Sequence, residues 1–134
     1  MASNANELLI GIDFDGTIVK HMFPAIGDPV EGALEKLKNW QEKGHKLILW
    51  TMRSGNTLDE AVDYLTRNGI TLFGINENPT QKEWTSSPKA YCQVYVDDAA
   101  YGCPLIYPKD ERPYVDWSKI CFCGVKGLTT CDCR

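Results

Sequence analysis

The chain has 134 residues, of which 43% are hydrophobic and 24% charged, and it carries a formal net charge of −4. That length supports one hydrophobic core and leaves no room for a second unit of ordinary size, so any chemistry falls to one sheet and its loops. The charge gives no general attraction to nucleic acid or anionic membrane, although a local basic patch would not show in a total, and no apolar run approaches the roughly 18 residues of a membrane span. The polar opening at residues 1–7 has no basic residue and the apolar stretch after it breaks at Asp13, so no signal peptide is read and a cytoplasmic protein is expected.

Residues 8–12 form a continuous rather than alternating apolar run, which predicts a strand buried on both faces of a parallel sheet. Asp28-Pro29-Val30-Glu31 predicts a helix start, with Asp28 as N-cap, Pro29 at the first helical position and Glu31 completing a box-like cap. Val30, Ala33, Leu34, Leu37 and Trp40 then recur on one helical face, and Gly44 supplies the stop. A second strand is predicted over 46–51. A second helix follows over 57–68, with Leu58, Ala61, Val62 and Leu65 inward and Gly69 ending it, and a third strand over 70–75. Residues 80–89 show no clear period and predict a loop with only a turn of helix. Residues 93–96 read as the fourth strand, 105–107 as a short fifth, and the remainder as loop. The folded domain is expected over 8–118, after a flexible N-terminus at 1–7 and before a cysteine-rich tail at 119–134.

Strands alternating with amphipathic helices imply right-handed βαβ units and an α/β, three-layer, doubly wound (Rossmann-like) parallel sheet. Ligands of such sheets bind beyond the carboxyl ends of the strands. The reactive residue types fall there: Asp13 and Asp15 after the first strand, Thr51 and Arg53 after the second, Asn76, Glu77 and Asn78 after the third, Asp97 and Asp98 after the fourth. Grouped carboxylates repel one another, so a hard cation with oxygen ligands is the natural way to hold them, and Mg2+ suits such a site when phosphate completes its shell.

Asp13-Phe14-Asp15-Gly16-Thr17, then Thr51, then a lysine, then Asp97-Asp98, resembles the four motifs of the haloacid dehalogenase (HAD) superfamily in their proper order. The run from Phe23-Pro24 through Gly27-Asp28-Pro29 to His45-Lys46-Leu47-Ile48-Leu49-Trp50-Thr51-Met52-Arg53 is similar to a subfamily of short bacterial and phage hydrolases, and the likeness covers about residues 8–106. The resemblance implies a HAD-like phosphatase that hydrolyses phosphomonoesters through an aspartyl phosphate on Asp13, with Asp15 as general acid and base. It further implies Thr51 and Lys89, or Lys82 in its place, as catalytic partners. Phe14, Gly16, Thr17, Met52 and Arg53 would stand at the phosphate and substrate, the backbone N–H groups of residues 14–17 forming a small anion nest. Magnesium would be held by Asp13, Asp15 through its carbonyl, and Asp98, with Asp97 as an outer or alternative ligand.

Neither interval between motifs is long enough for a cap domain. Closure over the phosphorylated substrate, whether nucleotide, sugar phosphate or macromolecular phosphate, is expected from loop 19–28, from residues 76–88, from contacts in a homo-oligomer, or from the substrate itself. A second class of function is a phospho-aspartate switch on the same fold, in which phosphorylation alters binding with little turnover; Asp15 argues against it. Cys121, Cys123, Cys131 and Cys133 offer four thiols, enough for tetrahedral zinc, but two Cys-x-Cys pairs depart from the usual Cys-x2-Cys spacing; free thiols are the plainer reading, with a disulfide as a further alternative. His21 reads as a surface residue and His45 as the start of a strand. Trp40 and Trp50 read as core, and the 76–78 loop equally as solvated or substrate-facing.

Overall fold

A computed structural model describes residues 7–122. Strands β1 (Leu9–Ile12), β2 (Lys46–Leu49), β3 (Leu72–Ile75) and β4 (Val94–Val96) form one four-stranded sheet in the order β3-β2-β1-β4, every pairing parallel. The central position of β1 explains its unbroken apolar run, since Leu8, Ile10 and Ile12 are all buried. Gly11 is required there by close approach, because a Cβ at that position would lie 2.9 Å from Cys92 Sγ and 3.1 Å from the Tyr95 ring. The chain steps outward from β1 to β2 to β3 and then returns to lay β4 on the other side of β1. The winding direction therefore reverses between β1 and β4, and such a reversal is where an open α/β sheet leaves a crevice.

Helix α1 (Ala33–Glu42) joins β1 to β2, and α2 (Gly55–Arg67) joins β2 to β3. The expected start of α1 at Asp28-Pro29 is corrected: the helix begins at Ala33, after Gly32 in the left-handed conformation at φ 86°. Residues 28–30 are instead held extended, by Lys20 N–H to Asp28 O at 2.9 Å and Val30 N–H to Ile18 O at 2.8 Å around a bridge between Val19 and Pro29. That pairing closes the 20–28 loop, and a helix could not start inside it. The expected inward face holds, with Ala33, Leu37 and Trp40 buried and Leu34 packed against them, and Gly44 stops the helix by donating to Gln41 O. Helix α2 starts two residues earlier than expected and buries Ala61 and Leu65. The turn foreseen within 80–89 is a single 3-10 turn at Gln81–Glu83.

The expected fifth strand does not join the main sheet. Strand β5 (Leu105–Ile106) pairs antiparallel with β6 (Tyr114–Val115), and a 3-10 turn at Trp117–Lys119 follows; β6 and this turn were expected to be loop. The final described segment packs on the core. Phe122 stacks on Trp40 with ring centroids 4.5 Å apart, Trp117 lies 5.7 Å from the same ring, and all three are buried. The folded body thus runs through Phe122, past the expected boundary at 118. Cys121 is disulfide-bonded, which removes it as a thiolate donor; the other cysteines considered for zinc, Cys123, Cys131 and Cys133, lie outside the described residues, as does the expected flexible segment up to residue 6. Among the described residues no helix is long and apolar enough to cross a membrane.

Deleting the Phe122 ring should cost about 3–5 kcal/mol. Urea unfolding of Phe122→Ala should show a lowered midpoint with an unchanged slope; a midpoint equal to that of the parent would return this residue to the tail.

Candidate active site

One further backbone bond past β1, from Asp13 N–H to Val96 O at 2.9 Å, carries the β1–β4 ladder beyond its last strand pair and sets Asp13 beside Asp97 and Asp98. The carboxylates of these three residues offer oxygens that all lie within 4.8 Å of one another. Thr17 joins them: its hydroxyl donates to Asp13 Oδ2 at 3.0 Å and accepts from the Asp98 N–H at 3.1 Å. Thr17 was expected at the phosphate, yet it is fully buried and acts on the two aspartates instead.

The turn itself is compact. Gly16 N–H donates to Val19 O and Thr17 N–H to Phe14 O, so two of the four N–H groups expected in an anion nest are consumed inside the turn. Those of Phe14 and Asp15 make no hydrogen bond among the described residues, and Phe14 is fully buried. Gly16 has φ 85°, and a Cβ there would collide with the His21 imidazole and the Asp98 carboxylate. The last segment braces the turn from behind, with Val115 N–H donating to Gly16 O at 3.0 Å and the Trp117 indole to Thr17 O at 2.8 Å.

Beyond β2, the Thr51 N–H donates to Asn76 Oδ1 and its Oγ1 accepts from the Arg53 N–H, leaving the hydroxyl proton without a partner among the described residues. Arg53 departs from its expected place at the substrate. Its side chain is 1% exposed, and its guanidinium grips Asp15 through two bonds of 2.8 Å. Met52 beside it is fully open to solvent. Asn78 is buried and structural, donating to Tyr91 O and accepting from Thr80. Lys89 is exposed, its Nζ 5.7 Å from the Tyr95 ring centroid, and it makes no ion pair among the described residues; Lys82 is exposed as well. His21, expected on the surface, is largely buried with Nε2 at 2.9 Å from Asp98 Oδ2. His45 stands at the start of β2 as expected, accepting from the Leu8 N–H.

Burial, the hydrogen bond with Asp98 and the charge of Asp97 push the Asp13 carboxyl up to about 8, against the opposing effect of the Thr17 hydroxyl. Asp97 is raised too, chiefly by burial, although the Ala99 N–H works the other way. The Cys103 thiol is pushed up by burial and by the neighbouring aspartates, which keeps it protonated and unsuited to act as a nucleophile. Among the described residues no lysine or arginine pairs with Asp13, Asp97 or Asp98. This donor set, all carboxylate and short of positive charge, fits a small hard cation.

A carboxyl raised in the folded state binds its proton more tightly folded than unfolded. Its stabilisation is complete below the ordinary value of 3.8 and is lost as the pH climbs through about 8. In chelator the parent should therefore lose melting temperature relative to Asp13→Asn as the pH is raised over that window, and added magnesium should restore it. Parallel curves for the two proteins in thermal denaturation would disprove the raised Asp13.

No family model and no curated protein matches the chain. A solved structure, that of a conserved protein coded by a locus from Bacteroides thetaiotaomicron, superimposes with a TM-score of 0.68 at 36% identity, covering 78% of this chain and 84% of that one. Sequence and fold agree over most of both molecules, and the chain belongs to the family of this conserved Bacteroides protein.

Proposed function

We propose that the protein is a magnesium-dependent phosphomonoester hydrolase of the haloacid dehalogenase type, its sheet being the doubly wound core of that superfamily without a cap. The observation that carries this reading is the meeting of Asp13, Asp97 and Asp98 within 4.8 Å at the carboxyl ends of adjacent strands, where the winding reverses. Asp13, Asp98 and Asp97, with the Asp15 carbonyl, would hold magnesium, which supplies the positive charge that lets carboxylates and phosphoryl oxygens share one site.

Thr17 fixes one oxygen of Asp13 and orients the carboxylate for attack. The new bond runs from an Asp13 oxygen to phosphorus while the bond from phosphorus to the leaving oxygen breaks, and Asp15 gives that oxygen a proton. Asp15 then takes a proton from the water that attacks the phosphorus of aspartyl phosphate, releasing inorganic phosphate and restoring Asp13. The unassigned hydroxyl proton of Thr51 suits a phosphoryl oxygen. No step is given to Lys89, which stands over Tyr95.

A second reading, the phospho-aspartate switch, is favoured by one contact: both carboxylate oxygens of Asp15 are occupied by Arg53. Should the lone pairs that this fork leaves on Asp15 not reach the leaving oxygen, the phosphoprotein would be long-lived.

Release of phosphate from p-nitrophenyl phosphate should require magnesium and should fall by at least about 10³-fold in Asp13→Asn. A screen over nucleotides, sugar phosphates and phosphopeptides then assigns the leaving group. Equal activity in the two proteins would remove Asp13 from the mechanism, whereas stoichiometric labelling without turnover would favour the switch.

A further inference from the structure

The most fully satisfied polar group beside the site is the guanidinium of Arg53. All five of its N–H groups are engaged: Nε and Nη2 with the two oxygens of Asp15, Nη1 with Pro24 O and Thr57 O, and Nη2 again with Ala25 O. The rings of Phe14 and Phe23 lie 5.0 and 5.1 Å from its Cζ. Three of those bonds go to backbone carbonyls of loop 23–25 and of the first turns of α2, so the place of the guanidinium is set by the scaffold without help from Asp15. The remaining two fix both oxygens of Asp15 in one plane. With no N–H left over and 1% of the side chain exposed, Arg53 does not reach a substrate.

Resting on the phosphatase reading above, we propose that Arg53 is the positioning residue for proton transfer: it transmits the orientation of loop 23–25 and helix α2 to the carboxylate of Asp15. A buried ion pair is by itself weak support for stability, and an apolar residue of similar size would fill the space without the cost of desolvating two charges. The planar fork does what such a residue could not, since it sets the direction in which Asp15 presents its oxygens. Lysine would keep the charge and lose the fork.

The test compares two esters. Glycerol 2-phosphate has an alkoxide leaving group that needs a proton as its bond to phosphorus breaks, whereas p-nitrophenolate leaves without one. In Arg53→Lys, kcat/KM for glycerol 2-phosphate should fall by about 10²-fold or more, and for p-nitrophenyl phosphate by less than about 10-fold. Asp15→Asn should show the same split, and the double variant should be no worse than Asp15→Asn alone, because the two residues act as one unit. Equal falls for both esters, or losses that multiply in the double variant, would overturn the positioning role while leaving the phosphatase reading intact. A parent inert towards both esters with magnesium overturns the phosphatase reading and this role with it.

If Arg53→Lys does not fold, the guanidinium signals of the 15N-labelled parent decide. A clamped Arg53 gives two separate Nη signals, and its Nε and one Nη move in Asp15→Asn. One averaged Nη signal in the parent would overturn the clamp.

Discussion

Three carboxylates confined within 4.8 Å repel one another, and the surrounding structure is arranged to keep them together regardless. The confinement is imposed by backbone: Asp13 continues β1 by one ladder bond, and Asp97 and Asp98 continue β4 next to it. Thr17 adds a hydroxyl that touches one aspartate and the backbone of another. Burial first, then the bond with Asp98 and the charge of Asp97, raises the Asp13 carboxyl, and among the described residues nothing of opposite charge pairs with it to offset them.

Around that centre the flanking charges are handled in pairs. His21 stands against Asp98 on one side and Arg53 against Asp15 on the other, and both partners belong to or grip the loop that the Val19–Pro29 bridge closes. The loop touches the site at both flanks, so its conformation and the orientation of Asp15 and Asp98 are one problem. Met22 and Phe23 at its tip, with Met52 across from Arg53 in sequence, remain exposed.

The parallel sheet was legible because strands buried on both faces must read as unbroken apolar runs, and the aspartates were legible because strand ends are where such a sheet can bind anything. Local signals failed where distant pairing decided. Asp28-Pro29 carries every mark of a helix start, but the bonds from residues 18–20 hold it extended. His21 has no telling spacing to Asp98, which is 77 residues away. Nothing in the type of Arg53 demands a place at the phosphate, and only the folded chain reveals the carbonyls that absorb its donors. Strand β6 is two residues long, too short to show any period.

The brace behind the aspartate turn has a consequence for how the molecule comes into being. Thr17 and the indole that holds its carbonyl are 100 positions apart, and Gly16 is likewise capped by Val115. A nascent chain presents the aspartate turn well before its support, so β1, α1 and β2 can pair while the turn is still unsupported. The turn is braced only once the chain through Trp117 has been made, and a chain terminated before it would retain Asp13 and Asp15 without the means to hold them.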